Sequence, residues 1–390
     1  MKRTILFLEQ QSWRSGAERV LEEVLYAIGP EFKPLVAFPG DGPFPAELRR
    51  RNIETLFIPM GHYRSGPKPV TDMIAFGPRS LYCALQLSQI IRQRCVALVY
   101  INSPRCLMAG VIAARLTARP SLFHLHMTMT RRADLWLATR AGKFATKIVA
   151  CSQTSATALC QADLKLKAVT QVVYNPVRNH ILTEKPISPV PSLVNTRQSI
   201  VGQVGRITPQ KGQHVLLKAA ARLKNRGINI QLVLVGAPET NDAEDAAYAR
   251  SLESLARELN LEDHVHWTGY QLDPNVFYAI FDALVIPSTV SEGLPMVALE
   301  ALQWGVPVIG SRLGGIPEII HDNRNGFLTP PGDDAALADA LERLLSSREV
   351  RTRLQAGARA SIDGRFSVAA FEKQIRLVIS ELCPVPGDAE

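Results

Sequence analysis

The first half of the chain alternates short apolar runs with longer amphipathic stretches, a pattern typical of successive βαβ units. The apolar runs predict strands at residues 4–8, 35–38, 55–58, 97–101, 121–126, 147–151 and 171–174. Helical periodicity between them is clearest at residues 16–28, 81–94 and 106–116. Because crossover helices join strands that run in the same direction, we predict a parallel α/β sheet in an N-terminal domain of residues 1–180.

The alternation stops at residues 179–197, where three prolines and two serines predict a linker. It then resumes, with strands predicted at residues 199–204, 230–235, 264–267, 283–287 and 307–310 and helices near 210–226, 243–260, 295–304, 333–346 and 348–361. We therefore predict a second doubly wound domain at residues 195–365, facing the first across a central cleft. A last helix near 367–382, in a segment of residues 366–390, has no following strand; one interpretation is that it packs back on the N-terminal domain.

Composition favours two folded domains in a cytoplasmic protein. The 390 residues are 46% hydrophobic, enough for two cores, and contain no run of eighteen apolar residues. The N-terminal apolar run is closed by Glu9, which indicates a first strand rather than a signal peptide. Six cysteines without a C-x-x-C pair predict reduced thiols and give no support for a zinc site.

Charge is divided unevenly along the chain. Residues 1–190 carry 25 Lys and Arg against 12 Asp and Glu, whereas residues 191–390 carry 19 against 24. The positive excess of residues 1–190 is either ordinary surface charge or a surface for an anionic partner, such as a phospholipid membrane or a pyrophosphate-linked acceptor. Nucleic acid is disfavoured because aromatic residues make up only 6% of the chain and no binding motif is present.

The segment from Val204 to Gly212 predicts an anion site. Gly205 ends a strand and lets the backbone approach a ligand closely. Thr208 is a suitable N-cap, which places Lys211 in the first turn of a helix, where its charge opposes the macrodipole. A diphosphate held between Arg206 and Lys211 would remove that conflict. The alternative is two exposed cations beside an ordinary helix cap.

The segment of residues 287–301 predicts a second part of the same site. Pro295 suits the start of a helix, but Leu294 cannot cap it, so the first N–H groups need another partner, which a ligand could supply. Glu300 interrupts an apolar run, and a hydroxyl-rich ligand would satisfy a buried carboxylate there. Glu292 lies in the loop just ahead. The carboxylates alone do not distinguish this site from two ordinary helix and surface glutamates.

Three shorter patterns add candidates. Gly314-Gly315 follows a strand and could bring backbone donors to a phosphate or a sugar, although many tight turns use the same pair. Gly16 joins the first strand to the first helix, where backbone N–H groups could meet an anion. His124 and His126 share one face of a strand, with His126 nearer its carboxyl end.

Together these segments resemble the family-four retaining glycosyltransferases of the GT-B fold. The matching marks are G-R-x-x-x-x-K-G at residues 205–212, the E-x7-E pair Glu292 and Glu300, the Gly-Gly-Ile-Pro-Glu turn at 314–318, Asn-Gly-Phe-Leu at 325–328, and Val-Val-Tyr-Asn-Pro at 172–176. The resemblance covers nearly the whole chain and is densest from residue 201 to residue 328.

The resemblance implies a role for each matching residue. Arg206 and Lys211 would hold the donor diphosphate, Glu300 the ribose hydroxyls, and Glu292 the hydroxyls of the transferred sugar, with His126 beside that sugar. The implied catalytic residues are His126, Glu292, Arg206 and Lys211. The implied donor-binding positions are Gly16, Gly205, Arg206, Lys211, Glu292, Gly293, Leu294, Pro295, Glu300, Gly314 and Gly315.

The chain departs from the family pattern in one loop. The family often has two glycines before the first helix, and this chain has Ser15 in the first of the two places, which puts the acceptor contact in doubt. The His-x-His arrangement also leaves open whether His124, rather than His126, faces the donor.

The resemblance implies same-face transfer that retains the anomeric configuration. The sequence has no D-x-D pair, so we expect no metal and no cofactor, with UDP-sugar as the donor from family prevalence. The implied acceptor is a saccharide or a lipid-linked saccharide in bacterial polysaccharide or glycolipid synthesis, at the cytoplasmic face of the membrane. Residues 61–78 are the acceptor loop that we expect to set specificity.

Other functions on a similar scaffold stay open. A nucleotide-sugar epimerase would form product without an acceptor, and a phosphorylase would need a pyridoxal lysine, for which the sequence offers no convincing site. A catalytically silent nucleotide-sugar binding protein would not need Arg206, Lys211, Glu292 and Glu300 together. A dinucleotide dehydrogenase is disfavoured because no G-x-G-x-x-G follows the first strand.

Overall fold

The computed structural model describes residues 2–61, 70–178, 190, 193, 198–239, 242–271, 273–362 and 364–384. The chain divides into two compact units, one of Met1–Pro176 with Val368–Glu390 and one of Val177–Ser367. The linker predicted at residues 179–197 lies outside the described residues, apart from positions 190 and 193.

The first unit is a seven-stranded parallel sheet flanked by helices. Its strands are β1 (Arg3–Leu8), β2 (Phe32–Phe38), β3 (Glu54–Phe57), β4 (Val96–Ile101), β5 (Ser121–Leu125), β6 (Lys147–Ala150) and β7 (Thr170–Val172). Its first six helices are α1 (Gly16–Ala27), α2 (Pro43–Arg50), α3 (Val70–Gln93), α4 (Pro104–Leu116), α5 (Arg132–Gly142) and α6 (Gln153–Ala162). The strand order is β3-β2-β1-β4-β5-β6-β7, so the winding direction reverses between β1 and β4.

The strands of this unit are apolar on both faces because helices cover both. Four consecutive residues of β1, Ile5 to Leu8, are fully buried. Leu8 pairs with Ala37 of β2 on one side and with Ile101 of β4 on the other. This register brings the carboxyl ends of β1 and β4 side by side, at the reversal where ligands bind in doubly wound sheets.

The second unit repeats the plan with six parallel strands. They are β8 (Ser199–Val204), β9 (Ile230–Val235), β10 (Val265–Gly269), β11 (Ala283–Ile286), β12 (Val308–Ser311) and β13 (Gly326–Thr329). Its helices are α7 (Gln213–Asn225), α8 (Ala243–Glu258), α9 (Asn275–Tyr278), α10 (Met296–Gln303), α11 (Ile316–Ile319), α12 (Asp334–Ser346) and α13 (Arg348–Ser361). The order β10-β9-β8-β11-β12-β13 reverses between β8 and β11.

The last helix, α14 (Val368–Leu382), packs against α1 in the first unit. Phe371, Ile375 and Ile379 form its buried stripe at helical spacing. Lys147 Nζ also lies 2.8 Å from Glu381 Oε2. The chain therefore returns to its first unit after completing the second.

The predicted fold class, two doubly wound parallel sheets, is confirmed, and three local features differ from the prediction. The strand β13 was not predicted as a strand. The acceptor loop expected at 61–78 is helical from Val70 onwards, and residues 62–69 lie outside the described residues. The helix predicted from residue 210 begins only at Gln213.

Candidate functional site

The loop after β8 forms one wall of the candidate site in the second unit. Lys211 ends a single 3-10 turn, Pro209–Lys211, rather than lying in the first turn of the long helix as predicted. The chain then turns through Gly212 at φ 68°, and a Cβ there would lie 2.0 Å from the carbonyl oxygen of Pro287. Only glycine allows this backbone to contact the loop that follows β11.

Lys211 and Glu292 meet at this contact. Lys211 Nζ lies 2.6 Å from Glu292 Oε1, and Ser288 Oγ donates to the same oxygen at 2.6 Å. Burial raises the pKa of Glu292, but attraction and hydrogen bonds from Lys211 and Ser288 outweigh it and leave the pKa below its usual value. Glu292 is therefore a carboxylate at neutral pH and offers acceptor oxygens beside a cation.

Arg206 is the more exposed of the two predicted cations, with 40% of its side chain accessible. Its Nη1 donates to Glu239 Oε2 at 2.9 Å, and its carbonyl oxygen accepts from Gln213 Nε2 at 2.8 Å. It also contributes to lowering the pKa of Glu292, after Lys211 and Ser288. The structure thus brings Gly205, Arg206, Lys211 and Glu292 together around the ends of β8 and β11.

The Gly314-Gly315 turn after β12 packs on the backbone of Glu292. Gly315 N–H donates to the Glu292 carbonyl oxygen at 3.0 Å. Gly314 has φ 55°, and a Cβ there would lie 2.1 Å from that same oxygen. The turn fixes the loop of Glu292, Gly293 and Leu294, and glycine is required at position 314 by contact as well as by conformation.

Helix α10 begins one residue later than predicted, at Met296. Pro295 occupies the cap position in an extended conformation, and no side chain caps the helix. Glu300, on the second turn, is buried, with 5% of its surface exposed, and its Oε2 accepts from Tyr278 Oη at 2.7 Å. The carboxylate predicted to need hydroxyl partners therefore has one from the protein itself.

In the first unit, His126 follows β5 directly and its ring is held by Asn102. His126 Nε2 lies 2.9 Å from Asn102 Oδ1, and burial lowers the pKa of His126 to about 3. His124, fully buried, bonds through Nδ1 to Tyr100 Oη at 2.5 Å. The two rings lie 3.9 Å apart between centroids, which confirms that they share one face.

Gly16 is the first residue of α1, as predicted, and Ser15 caps the helix. Glu18 Oε2 accepts from the backbone N–H of Ser15 at 2.9 Å, in a capping box, and Glu18 Oε1 accepts from Gln11 Nε2 at 2.7 Å. The Ser15 hydroxyl also accepts from Gln11 Nε2 at 3.0 Å, so serine at the place of a family glycine holds this loop through its own side chain.

Several residues of these arrangements were not predicted. Tyr278, Ser288, Glu239 and Asn102 each hold a predicted residue through a hydrogen bond. Glu9 was interpreted only as the end of an apolar run. It is fully buried at the end of β1 and bonded to Asn102. The signal in the sequence that could have indicated this site is a carboxylate directly after a strand predicted to be buried.

Two family models match the chain in succession. The model described as Glycosyltransferase Family 4 matches residues 14–179, and the model described as Glycosyl transferases group 1 matches residues 184–361. The two meet close to the boundary between the structural units. The chain belongs to the family-four, group 1 glycosyltransferases, as its sequence motifs indicated.

Curated relatives match over part of the chain. The D-inositol 3-phosphate glycosyltransferase of Saccharomonospora viridis is 38% identical over 167 residues, which cover 41% of this chain and 38% of that protein. The lipopolysaccharide core biosynthesis glycosyltransferase LpsE of Rhizobium meliloti is 32% identical over 172 residues, covering 44% and 47%. The chain thus matches less than half the length of these relatives.

Solved structures match over almost the whole chain. Alr3699/HepE of Anabaena in complex with UDP and glucose superposes with a TM-score of 0.80 at 26% identity, covering 96% of this chain and 99% of that one. Sucrose-phosphate synthase of Thermosynechococcus elongatus superposes with a TM-score of 0.76 at 22% identity, covering 98% and 99%. The fold is therefore the GT-B fold that the sequence predicted.

The described residues contain neither a membrane-spanning helix nor a cluster of metal-binding side chains. In that part of the chain, no helix is both long and apolar enough to cross a bilayer. Nor do three or more His, Cys, Asp or Glu side chains there gather in a way that could hold a metal ion. None of the six cysteines, all of which lie in the described part of the chain, forms a disulfide.

Proposed function

We propose that this protein is a retaining glycosyltransferase that moves a sugar from a nucleotide diphosphate sugar to a hydroxyl group of a saccharide or a lipid-linked saccharide. The observation that carries the proposal is the arrangement of Arg206, Lys211 and Glu292 at the strand-order reversal of the second unit. Two cations beside glycine-rich backbone are suited to a diphosphate, and adjacent carboxylates are suited to sugar hydroxyls.

In this proposal, different residues contact the diphosphate, the transferred sugar and the ribose of the donor. Arg206 and Lys211 contact the diphosphate and stabilise the negative charge that develops on it when the sugar leaves. Glu292 accepts from hydroxyls of the transferred sugar, with backbone donors of Gly293 and Leu294 beside it, and Glu300 accepts from the ribose. His126 is neutral, so its contact with the sugar is a hydrogen bond rather than a charge. Gly16 supplies backbone donors at the start of α1.

UDP is the proposed nucleotide, and transfer is proposed to need no metal. Support for UDP comes from Alr3699/HepE, 26% identical, which binds UDP and glucose. Support for metal independence comes from the two cations, which can neutralise a diphosphate without a divalent ion. The pathway proposed is bacterial surface polysaccharide or glycolipid synthesis, because LpsE serves lipopolysaccharide core synthesis.

Titration with UDP, GDP and ADP in EDTA tests the donor site. We expect one nucleotide, UDP, to bind saturably, and we expect an Arg206→Ala, Lys211→Ala double variant to lose that binding. Lys218→Ala removes an exposed cation of α7 and serves as the matched control. Absence of binding by all three nucleotides, with and without magnesium, would refute the donor-site assignment. Product formed from UDP-sugar without an acceptor would instead indicate an epimerase.

A membrane contact is proposed for the first unit. Helix α3 exposes Ile74 (72%), Leu81 (53%), Tyr82 (55%) and Leu85 (56%), which helical spacing places on one face. The sequence of residues 1–190 has a surplus of 13 positive charges, 25 against 12. Apolar insertion and attraction to anionic lipid are each weak, at about 0.8 kcal/mol per buried CH₂ and about 1 kcal/mol per basic residue, but together they give reversible binding.

Flotation with vesicles tests this contact. We expect the protein to float with phosphatidylglycerol vesicles more than with phosphatidylcholine vesicles, and a Leu81→Ser, Leu85→Ser variant to lose most of that binding. Leu377→Ser changes an equally exposed leucine on α14 and is the matched control. If the two variants float equally, α3 does not contact the membrane. If the parent instead dimerises with rising concentration and the α3 variant does not, the exposed face of α3 binds a second copy of the chain.

A further inference from the structure

Two buried polar side chains meet at the strand-order reversal of the first unit. Glu9 follows β1 and Asn102 follows β4, and both are fully buried. Asn102 Nδ2 donates to Glu9 Oε2 at 2.5 Å. Glu9 Oε1 accepts from Ser103 Oγ at 2.7 Å and from the backbone N–H of Gln10 at 2.6 Å. The carboxylate thus receives three donors, and one of them is the Asn102 amide.

The other end of the same amide faces His126. Asn102 Oδ1 lies 2.9 Å from His126 Nε2. An amide oxygen can only accept, so the shared hydrogen is on Nε2. The imidazole is neutral and carries one N–H, so its Nδ1 has a bare lone pair. That Nδ1 is buried and makes no hydrogen bond within the described part of the chain.

We propose that Glu9, acting through Asn102, is a positioning residue that sets which ring nitrogen of His126 carries the proton. The consequence for transfer rests on the proposed function, in which His126 contacts the sugar. With the proton on Nε2, Nδ1 can only accept a hydrogen bond from a sugar hydroxyl. With the proton on Nδ1, this nitrogen can only donate a hydrogen bond to that hydroxyl. Nδ1 is covered by protein atoms, so under the proposal a sugar hydroxyl can bond to it only after a local displacement of those atoms.

Protonation of Glu9 reverses the two hydrogen bonds that lead from Oε2 through the Asn102 amide to His126. Oε1 already has two donors, so an added proton on Oε2 needs the Asn102 oxygen as its acceptor. The amide must then turn and present Nδ2 to His126 Nε2, which loses its proton, while Nδ1 gains one. Glu9, Asn102 and His126 together gain one proton, which is on Glu9. The imidazole keeps a single N–H, now on Nδ1.

Burial and, after it, the charge of Glu18 on α1 raise the pKa of Glu9 to about 8, against the hydrogen bonds from Ser103, Asn102 and the Gln10 backbone, which lower it. The groups that face this site from α4 are Cys106, whose thiol pKa burial raises well above its usual value, and Arg105, which pairs with Asp72. Beside His126, burial holds the pKa of His124 well below its usual value. Glu9 is therefore the group that changes charge near pH 8.

Histidine-selective ¹⁵N NMR of the full chain without ligand tests the proposal. We expect Nδ1 of His126 to change from protonated to bare as the pH rises through about 8. Glu9→Gln, which cannot ionise, should abolish the transition. Ser103→Ala should keep it and move it to higher pH, because a hydrogen bond that lowers the Glu9 pKa is lost. The ring of His124, bonded to Tyr100, reports in each variant that the fold is intact.

A His126 ring that keeps one tautomer from pH 6 to pH 10, or a transition that survives Glu9→Gln, would overturn the proposal. Transfer kinetics separate it from the proposed function. Measured at pH 9, where Glu9 of the parent is ionised, Glu9→Gln should change kcat roughly three- to tenfold, the effect of one hydrogen bond, and leave the Kd of UDP unchanged because UDP lacks the transferred sugar that His126 contacts. If the parent binds no nucleotide while the transition is present, the proposed function fails and the positioning of His126 stands.

Discussion

Lys211 and Glu292 lie 81 residues apart in the chain, and their side chains form an ion pair with 2.6 Å between Nζ and Oε1. The proposed diphosphate-binding cation is therefore already compensated by a carboxylate of the same site. Arg206 is compensated in the same way by Glu239 at 2.9 Å. A diphosphate that binds here competes with both carboxylates, which predicts that removing one of them strengthens nucleotide binding.

Glu292→Gln should bind UDP more tightly than the parent, by roughly two- to tenfold, because Lys211 loses its internal partner. The same variant should transfer sugar more slowly, since it lacks the carboxylate proposed to hold the sugar hydroxyls. Calorimetric titration with UDP and a transfer assay measure the two effects. Glu239→Gln is the control: it should also tighten UDP binding but leave the sugar contact in place. Weaker UDP binding by Glu292→Gln would contradict the assignment of Lys211 to the diphosphate.

Gly314→Ala should destabilise the second unit and weaken UDP binding together. The residue has φ 55° and its new Cβ would lie 2.1 Å from the Glu292 carbonyl oxygen, so the Glu292 loop must move. Gly332→Ala is the matched control, because Gly332 has φ 74° with nothing within 4 Å of a Cβ. Urea unfolding should show a loss of about 1 kcal/mol for Gly332→Ala and clearly more for Gly314→Ala. If the two variants lose the same free energy of unfolding and bind UDP with the same affinity, the contact of Gly314 with Glu292 contributes neither to stability nor to nucleotide binding.

Much of this fold was predictable because parallel strands covered on both faces are continuous apolar runs, as in β1 and β9. The strand β13 was not predicted because Gly326–Thr329 is short, begins with glycine and is preceded by a tight turn. The position of Lys211 was wrong because Thr208 and Pro209 have the sequence of a helix start. The positive φ of Gly212, which ends that turn, depends on a contact with Pro287 that no local pattern contains.

The candidate site was predictable where its residues belong to sequence motifs, and not where they pair with residues outside those motifs. Glu9 and Asn102 are 93 residues apart, and Glu300 and Tyr278 are 22 apart. Their pairing depends on strand order and register, which hydrophobic periodicity does not encode. The motifs therefore identified the residues that we propose to face a ligand, but not the tyrosine, asparagine and serine side chains that hold them in place.

The pair of Glu300 and Tyr278 predicts how the ribose is recognised. Tyr278 Oη donates to Oε2 of Glu300, and we propose that the carboxylate also accepts from the ribose hydroxyls. The parent should bind UDP about 10- to 100-fold more tightly than 2′,3′-dideoxy-UDP, the effect of hydrogen bonds to a charged group. Glu300→Ala should bind the two nucleotides alike. The ratio of the two affinities is the measurement, and it does not depend on how far the variant is destabilised. If the ratio is the same in Glu300→Ala as in the parent, Glu300 does not contact the ribose.

The raised pKa of Glu9 predicts how the stability of the first unit depends on pH. Its ordinary value, which applies to the unfolded chain, is 4.5, and its folded value is about 8. Between these values the folded chain holds a proton that the unfolded chain has released, so this group's stabilisation is complete below pH 4.5 and is lost as the pH rises through 8. The parent should therefore lose stability relative to Glu9→Gln over this range, by an amount on the order of a few kcal/mol. Urea unfolding at pH 5.5 and pH 8.5 measures it.

Glu18→Gln is the control for that experiment, because it removes the neighbouring charge that helps raise the Glu9 pKa. In this variant Glu9 should ionise at lower pH, so the loss of stability should be smaller and should end at lower pH than in the parent. Glu9→Gln should show no such loss at all, because its amide holds the same proton count in both states. If the parent and Glu9→Gln lose stability equally between pH 5.5 and pH 8.5, Glu9 does not keep its proton in the folded protein, and the tautomer of His126 cannot follow it.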